Sequence, residues 1–212
     1  MTDREQKRGR FITVEGQDGA GKTTNLDRIE HIVRACGHEV VRTREPGGTP
    51  LGDEIRRLVL HRRDLDIDPV AELLLIFAAR AQHLAAVIRP ALSAGSWVVC
   101  DRFTDATYAY QGGGRGVDPL MIAGLEQQVQ GDLRPDLTLL LDVDITTGAR
   151  RAAGHDRFES EERAFKDRVR EAYLARARAD PERIRVVDAA RPLASVEEEV
   201  ESVLRRFIDG FG

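Results

Sequence analysis

Short runs of apolar and β-branched residues alternate along this chain with longer stretches in which apolar residues recur every three or four positions. The short runs are nearly continuous, as in strands that are buried on both faces of a sheet. The longer stretches have the spacing of amphipathic helices. The pattern predicts five strands, at residues 11–14, 40–45, 97–100, 137–141 and 184–187.

Capping signals between these runs predict where several helices begin and end. A first helix is expected at residues 22–35, with Gly37 placed to terminate it. Thr49 followed by Pro50 has the form of an N-cap and a proline at the first helical position, which predicts a second helix. A long helix is expected to begin near Asp68.

Two of the predicted helices have a clear apolar face. The last helix is expected to open with Ser195 as its N-cap, because Glu198 stands three residues later. The long helix is expected to bury one continuous face. The predicted inward residues are Val196, Val200, Val203, Leu204, Phe207 and Ile208 in the last helix, and Val70, Leu73, Leu74, Phe77, Ala81, Leu84 and Ile88 in the long one.

This alternation of strands and helices predicts an α/β fold, in which helices cover both faces of a five-stranded parallel sheet. A chain of 212 residues with 42% hydrophobic residues can form one core, so a single domain is expected. Ligands in such folds bind beyond the carboxyl ends of the strands. Functional residues are therefore expected just after the predicted strands.

The segment after the first predicted strand has the sequence GQDGAGKT and matches the phosphate-binding pattern G-x-x-x-x-G-K-[ST] at every fixed position. Glycines let backbone N–H groups point at an anion, and the following helix adds positive charge at its N-terminus. Lys22 can reach the β- and γ-phosphates, and the Thr23 hydroxyl can bind Mg²⁺. The predicted ATP-binding residues are Gly16, Gln17, Asp18, Gly19, Ala20, Gly21, Lys22, Thr23 and Thr24.

Polar segments after the second and third strands predict a site for a second substrate. Asp101 and Arg102 end the third strand, where a carboxylate can act through Mg²⁺ and an arginine can bind a phosphate with two hydrogen bonds. Residues 43–49 (TREPGGT) place charges beside a glycine-proline turn. Residues 108–115 (YAYQGGGR) add rings, an amide and a cation, which a nucleobase pocket needs.

Several classes of protein are excluded or disfavoured by the rest of the sequence. A GTP-dependent switch needs an Asn-Lys-x-Asp segment, and Asn25 is the only asparagine. The net charge of −4 argues against a nucleic-acid surface. The polar first ten residues and the lack of a bilayer-length apolar run predict a cytoplasmic protein with no membrane partner. Cys36 and Cys100 are expected to be reduced, buried thiols.

These motifs together closely resemble those of bacterial thymidylate kinases. The P-loop is followed in order by TREPGGTP, FAARAQ, DRF and AYQGGGRG, and the likeness extends from Phe11 to about Ala189. Many families share the P-loop, whereas the combination of the other segments is specific. The resemblance implies a P-loop NTPase fold in one domain of residues 1–212, with a lid at about residues 145–160. It also implies transfer of the γ-phosphate of ATP to dTMP, Mg²⁺ as cofactor, and a homodimer formed through the long apolar helices.

The resemblance further implies roles for residues on the acceptor side. Arg56 and Arg102 are expected to bind the dTMP phosphate, and Arg80 to donate to a thymine carbonyl. Ile76 stands where the family usually has a stacking phenylalanine, so the adjacent Phe77 is either the stacking ring or a core residue. The implied dTMP-binding residues are Asp18, Glu45, Arg56, Phe77, Arg80, Arg102, Thr107, Tyr108 and Gln111, with Thr23 and Asp101 as the expected metal ligands.

Phosphoryl transfer also needs a cation beside the moving group, and the variable positions of the P-loop hold none. The segment 146–159 contains three arginines and two glycines, and resembles the lid of those family members that carry catalytic arginines there. Which of the three arginines acts stays open. The implied catalytic residues are Lys22, Asp18, Arg102, Arg150, Arg151 and Arg157.

Three other functions share some of these features. Another nucleoside-monophosphate kinase would differ only in its base pocket. A deoxynucleoside kinase would need a catalytic general base beside the acceptor, whereas the pair Arg56 and Arg102 favours a monophosphate acceptor. A P-loop regulatory ATPase would leave the TREPGG and YQGGGR segments without a role.

Overall fold

The computed structural model describes residues 8–62, 64–151, 157–158 and 161–210. Within these ranges five strands form one parallel sheet in the order β2-β3-β1-β4-β5. The predicted parallel sheet is thereby confirmed. The strands are β1 (Phe11–Glu15), β2 (Val40–Arg44), β3 (Trp97–Asp101), β4 (Leu137–Asp142) and β5 (Ile184–Asp188).

Helices connect each strand to the next. Two of the connections include a π-helical stretch, at Leu84–Ile88 and at Tyr108–Gly114. The α-helices are α1 (Lys22–Ala35), α2 (Pro50–His61), α3 (Pro69–His83), α4 (Arg89–Ser93), α5 (Thr104–Thr107), α6 (Pro119–Gln130), α7 (Ile145–Arg151), α8 (Arg163–Ala179) and α9 (Leu193–Asp209).

The burial of the strands shows that helices cover both faces of the sheet. All of β1 is buried, and β3 and β4 are buried up to their last residue, whereas the edge strands β2 and β5 expose several residues. Successive side chains of a strand point to opposite faces. Leu139 and Leu141 accordingly belong to a core formed with α1 and α9, and Leu140 to one formed with α8.

The predicted start or end of three helices is confirmed. The Thr49 hydroxyl accepts a hydrogen bond from the Gly52 N–H at 3.0 Å, and the Asp68 carboxylate accepts from the Val70 N–H at 2.8 Å. Such N-caps each stabilise a helix by about 1 kcal/mol. Gly37 adopts a φ of +88° just after the end of α1, which glycine does without strain.

The long helix Pro69–Ser93 differs from its prediction, because its apolar residues occupy more than one face. Leu73, Phe77, Leu84 and Ile88 are buried. Val70, Leu74 and Ala81 were also predicted to be buried, and they lie on an exposed side, where Leu74 is 48% exposed. By length and hydropathy alone this helix passes for a membrane span, yet half of its most apolar window is buried inside the protein.

Two further predictions are corrected by the structure. The last helix, α9, begins at Leu193 after Pro192 in the N-cap position, so Ser195 lies inside the helix and is not the predicted N-cap. The six predicted inward residues of α9 do pack against the core, three of them only partly buried. Cys100 is a buried thiol as expected, whereas Cys36 is exposed.

Candidate active site

The P-loop connects the central strand β1 to α1. Gly19 and Gly21 adopt φ angles of +78° and +84°, which favour glycine. A Cβ on Gly19 would lie 2.1 Å from the carbonyl oxygen of Gly148 in α7, so the close approach of these two segments requires glycine. Among the described residues no side chain caps the N-terminus of α1. Its N–H groups are therefore available to bind an anion.

Lys22 folds back over the P-loop. Its Nζ donates hydrogen bonds to the carbonyl oxygens of Gly16 (3.1 Å) and Gln17 (3.0 Å), and it lies 3.6 Å from Oδ1 of Asp18. Burial and the nearby charge of Arg102 lower the pKa of Lys22. A bound phosphate would supply the negative charge that this buried ammonium group needs.

Asp18 and Arg102 form an ion pair between the P-loop and the end of β3. Arg102 Nη2 donates to Asp18 Oδ1 at 2.7 Å and to the Tyr110 hydroxyl at 3.2 Å. Burial by itself raises the pKa of Asp18, but the charges of Arg102 and Lys22 outweigh it and hold that pKa well below its usual value. Asp18 is therefore an anion and Arg102 a cation throughout the neutral range.

A cavity opens beside this ion pair, with about 470 Å³ of space between and in front of its lining atoms, part of it open to solvent. Its lining brings together seven of the nine residues that were expected to bind the acceptor. Most of the apolar walls could not be predicted from the sequence, because those residues come from separate elements. The seven are Asp18, Glu45, Arg56, Arg80, Arg102, Thr107 and Gln111, and the rest of the lining is Pro46, Leu60, Ile76, Phe103, Ala106, Tyr110 and Phe158.

Arg80 is the buried cation of this cavity and is 1% exposed. Its Nε donates to Glu45 Oε2 at 2.7 Å, and its Nη2 donates to the Thr107 hydroxyl at 2.9 Å. Glu45 Oε1 lies 2.9 Å from Nδ1 of His83. Within the described residues Nη1 of Arg80 has no hydrogen-bond partner. A buried donor of this kind is costly unless a ligand accepts from it.

Gln111 is held in one orientation by Glu72. The Gln111 Nε2 group donates to Glu72 Oε1 at 2.9 Å, and both side chains are buried. Since an ionised carboxylate can only accept, the amide N–H₂ must face Glu72. The Gln111 oxygen is thereby left to accept a hydrogen bond from a ligand in the cavity.

Phe77 and Tyr108 lie outside the cavity lining, contrary to the expectation that both contact the acceptor. Phe77 packs in the core with Leu73, and the Arg80 guanidinium lies 4.8 Å from its ring centroid, so Phe77 supports Arg80 from behind. The Tyr108 hydroxyl donates to Glu126 at 2.6 Å. Burial and that hydrogen bond raise the pKa of Tyr108 to about 12.

A second, larger cleft lies over the P-loop and the N-terminus of α1, with about 1350 Å³ of space that includes open solvent. Arg191 and Leu193 line it from the chain beyond β5, and Arg151 lines it from α7. The sequence contained a signal for Arg191, because it follows a predicted strand end, but only the structure brings it to the P-loop. The predicted members of this lining are Asp18, Gly19, Ala20, Gly21, Lys22, Thr23, Thr24, Asp101, Arg102 and Arg151.

Asp101 and Thr23, the predicted metal ligands, both line this cleft. Oδ1 of Asp101 is buried and has no hydrogen-bond partner among the described residues. No group of three or more His, Cys, Asp or Glu side chains suited to a metal occurs within the same ranges. Kinase Mg²⁺ is commonly held by one or two protein ligands together with substrate phosphates, so this pair fits such an ion.

The three arginines of the predicted lid lie in different places. Arg151 donates to the Ala189 carbonyl oxygen at 2.6 Å and lines the cleft. Arg150 is exposed, donates to the Thr147 hydroxyl, and does not belong to the lining of either cavity. Arg157 lies 3.7 Å from the buried Glu72 carboxylate. Residues 152–156 and 159–160 of the predicted lid lie outside the described ranges.

Glu15, the residue before the P-loop, is a buried carboxyl group that the sequence did not single out. It accepts hydrogen bonds from the Phe103 N–H (2.7 Å) and the Tyr173 hydroxyl (2.8 Å). Burial and the charge of Asp105 raise the pKa of Glu15 to about 8. Glu15 therefore links β1 to α8 and to the residue after Arg102, beneath the site.

The two cavities share Asp18, Arg56 and Arg102 in their linings. Two arginines thus stand where a phosphate bound at the P-loop would meet a second ligand. We call the cleft over the P-loop the donor cleft, and the cavity beside the Asp18–Arg102 ion pair the acceptor cavity. Together with an all-parallel sheet and a P-loop, these two sites define a P-loop kinase of small phosphorylated acceptors.

Comparison with known proteins identifies the family. A sequence profile described as "Thymidylate kinase" matches residues 14–200. Thymidylate kinase of Pseudomonas savastanoi pv. phaseolicola is 57% identical over 204 residues, covering 95% of this chain and 97% of that protein. Thymidylate kinase of Teredinibacter turnerae is 52% identical over 203 residues, covering 94% and 99%. The crystal structure of thymidylate kinase from Ehrlichia chaffeensis aligns with a TM-score of 0.75 and 36% identity, covering 93% and 99%. The chain belongs to the thymidylate kinase family.

Proposed function

We propose that this enzyme binds ATP in the cleft over the P-loop and dTMP in the acceptor cavity, and transfers the γ-phosphate to give dTDP and ADP. The observation that carries the proposal is the shared lining of the two cavities. Asp18, Arg56 and Arg102 lie at the junction, so the two phosphates meet beside two arginines. Phosphoryl transfer needs this placement and little covalent chemistry from the protein.

On the donor side, Lys22 and the N–H groups of α1 bind the phosphates of ATP. The carbonyl oxygens that now accept from Lys22 Nζ exchange for phosphate oxygens when the nucleotide binds. Thr23 and Asp101 are the residues that hold Mg²⁺, which neutralises phosphate charge when it is bound.

On the acceptor side, the cavity separates a phosphate end from a base end. Arg56 and Arg102 bind the dTMP phosphate, and their neighbours in the lining recognise the thymine. Nη1 of Arg80 donates to a thymine carbonyl, which satisfies its buried N–H group. The Gln111 oxygen accepts from the ring N–H, since Glu72 holds the amide nitrogen.

Arg102 and Arg151 are the cations that stabilise charge on the phosphoryl group in the transition state. Arg102 is held in the junction by Asp18 before substrates bind, so it needs no reorganisation. Arg151 stands in the donor cleft on α7. An arginine supplied to a transferring phosphoryl group can contribute several orders of magnitude in rate.

We further propose that the enzyme is a cytoplasmic homodimer. Val70, Leu74, Ala78 and Ala81 form an exposed apolar stripe along α3, and Leu74 is 48% exposed. Residues three and four apart lie on one face of a helix, so this stripe is continuous. A second copy of the same stripe would bury it around a two-fold axis.

A coupled assay of ADP release across the nucleoside monophosphates and nucleosides tests the proposal. We expect dTMP to be the strongly preferred acceptor, and thymidine to be inactive because it brings no phosphate to Arg56 and Arg102. The Lys22→Met variant should show no transfer, and a thermal unfolding transition like that of the wild type would show that it is folded. Preference for another monophosphate would identify a different kinase of this class, and ADP release without any acceptor would indicate a regulatory ATPase.

A further inference from the structure

We propose that Phe158 supplies the aromatic ring on which the base of the acceptor stacks. The inference rests on the proposed function, which puts dTMP in the acceptor cavity. A flat base gains affinity by stacking on an aromatic side chain. Ile76, the apolar residue of α3 in the cavity lining, is aliphatic, and the adjacent Phe77 lies in the core. The stacking ring therefore comes from another part of the chain.

Within the described residues three aromatic side chains line the cavity, namely Phe103, Tyr110 and Phe158. The Phe103 ring is already packed against other groups, because its centroid lies 4.9 Å from that of Phe11 at a steep interplanar angle and 4.9 Å from the Arg80 guanidinium. It is also only 1% exposed. Phe103 therefore supports the wall and offers no surface to a ligand.

Tyr110 belongs to the phosphate end of the cavity. Its hydroxyl lies 3.2 Å from Arg102, and the same guanidinium lies 5.4 Å from its ring centroid. Arg102 in turn is paired with Asp18 of the P-loop. Tyr110 is thus tied to Arg102 at the phosphate end, and its ring centroid lies 5.1 Å from that of Phe158, the remaining aromatic residue of the lining.

Phe158 lies at the base end, next to the amide that recognises the base. Arg115 lies 5.3 Å from the Phe158 ring centroid, and its Nε is 3.4 Å from Oε2 of Glu72. The other oxygen of Glu72 holds Gln111. Phe158 and the Gln111 amide are therefore fixed by the same pair of charged side chains.

Phe165, which lies outside the cavity lining, packs against the Phe158 ring and fixes its orientation. The ring stacks on Phe165 with centroids 6.1 Å apart and planes at 12°, and Phe165 is not part of the cavity lining. The N–H of Arg157 donates to the carbonyl oxygen of Leu60, another lining residue, at 3.0 Å. A base on Phe158 extends an existing aromatic stack, so little ordering is required on binding.

The test is dTMP affinity by titration calorimetry in variants that remove or move the ring. Phe158→Leu keeps apolar volume and removes the ring, and we expect dTMP to bind roughly ten- to a hundredfold more weakly, with the KM for ATP changed by less than about twofold. Phe158→Tyr keeps the ring and should bind within about threefold of wild type. Adding Ile76→Phe to Phe158→Leu returns a ring to the cavity from α3 and should recover most of the loss.

Phe165→Leu is the control for packing, because it removes a ring that stacks on Phe158 from outside the cavity, and we expect it to weaken dTMP binding less than Phe158→Leu does. The proposal is overturned if Phe158→Leu binds dTMP within about twofold of wild type. It is equally overturned if Phe165→Leu weakens binding as much, since packing alone would then explain the loss. Failure of the proposed function would appear separately, as wild-type preference for another nucleoside monophosphate, and the same variants are then titrated with that nucleotide.

Discussion

Arg102 holds a backbone φ of +66°, a left-handed conformation that residues other than glycine rarely adopt. Its guanidinium group donates to Asp18 and Tyr110 at the junction of the donor and acceptor cavities. Backbone strain persists only where surrounding contacts hold it, and it clusters at sites of binding and chemistry. These contacts fix Arg102 in the cavity before either substrate arrives.

Glu15 is a single buried carboxyl group whose pKa is raised by its surroundings. Burial and the charge of Asp105 raise its pKa from 4.5 to about 8, despite hydrogen bonds from Phe103 and Tyr173. Between these two pH values the folded protein keeps a proton that the unfolded chain releases. The unfolded state binds fewer protons in this window, so the free energy of unfolding falls as the pH rises from about 4.5 to about 8.

Glu15→Gln should remove this loss of stability, because an amide keeps the shape and carries no charge. One pKa unit corresponds to about 1.4 kcal/mol, so the variant should gain roughly 2–4 kcal/mol relative to wild type between pH 5 and pH 8. Urea unfolding of both proteins at these two pH values measures the difference. A gap between the two proteins that is independent of pH would show that Glu15 is already ionised in the folded state at pH 5.

At the scale of elements, α7 offers a matched pair of arginines. Arg151 lines the donor cleft, whereas its neighbour Arg150 points to solvent and lines neither cavity. The one-residue step along the helix turns the two side chains by about 100° from each other. The two positions therefore separate a contact with the nucleotide from a general effect of charge on this helix.

We expect Arg151→Ala to lower kcat at least roughly tenfold and Arg150→Ala to leave it within about twofold, because only Arg151 can face the transferring group. Single-turnover and steady-state rates should both be measured, since product release can mask the chemical step. If Arg150→Ala has the larger effect, the assignment of Arg151 fails. Unchanged kcat in both variants, and in a variant that also lacks Arg157, would place the cation outside this segment.

Much of the fold could be predicted from the sequence, because buried parallel strands are continuous apolar runs and helix caps have local signals. The helices α6 and α8 were not predicted. The Asp118-Pro119 start of α6 repeats the signal of Asp68-Pro69, and the Asp118 carboxylate does accept from the Leu120 N–H. In α8 the buried residues recur only once per turn in a highly charged segment, so its apolar face is narrow.

The candidate site was predictable where its residues belong to local motifs, and unpredictable where distant segments meet. The P-loop and the Asp101-Arg102 pair have fixed spacing next to strand ends. Phe158 and Leu60 line the same cavity although nearly a hundred residues separate them in the sequence. No pattern in either segment predicts that they come together. For Phe77 the sequence left both a stacking ring and a core residue open, and the structure places it in the core, because one helical position beyond Ile76 is a rotation of about 100°.

At the scale of the whole molecule, the strand order β2-β3-β1-β4-β5 divides the site into two halves. Glu45 follows β2 and Arg102 follows β3, and both line the acceptor cavity. Arg191 follows β5 and lines the donor cleft. The P-loop follows the central strand between them. Because the strands are parallel, all these loops meet at one edge, so in the proposed reaction the phosphate would pass across β1 from one half to the other.

The same long helix that supplies Arg80 to the acceptor half exposes an apolar stripe on its other side. Val70 is 39% exposed and Leu74 is 48% exposed, with Ala78 and Ala81 continuing the stripe. Large exposed apolar surfaces on a helix usually mark an interface. In a homodimer built on this stripe, the acceptor pocket and the subunit contact would share one helix.

Leu74→Glu should therefore convert the proposed dimer to a monomer, because two like charges would face each other across a two-fold axis. Val186→Glu is the matched control, since Val186 is 43% exposed on β5, the edge strand of the sheet, and it should leave the dimer intact. Sedimentation equilibrium of the two variants and the wild type gives the masses. A wild-type monomer, or a Leu74→Glu protein that stays dimeric, would contradict the proposed interface. Because Arg80 lies on the same helix, we also expect the monomeric variant to bind dTMP more weakly, while its KM for ATP changes little.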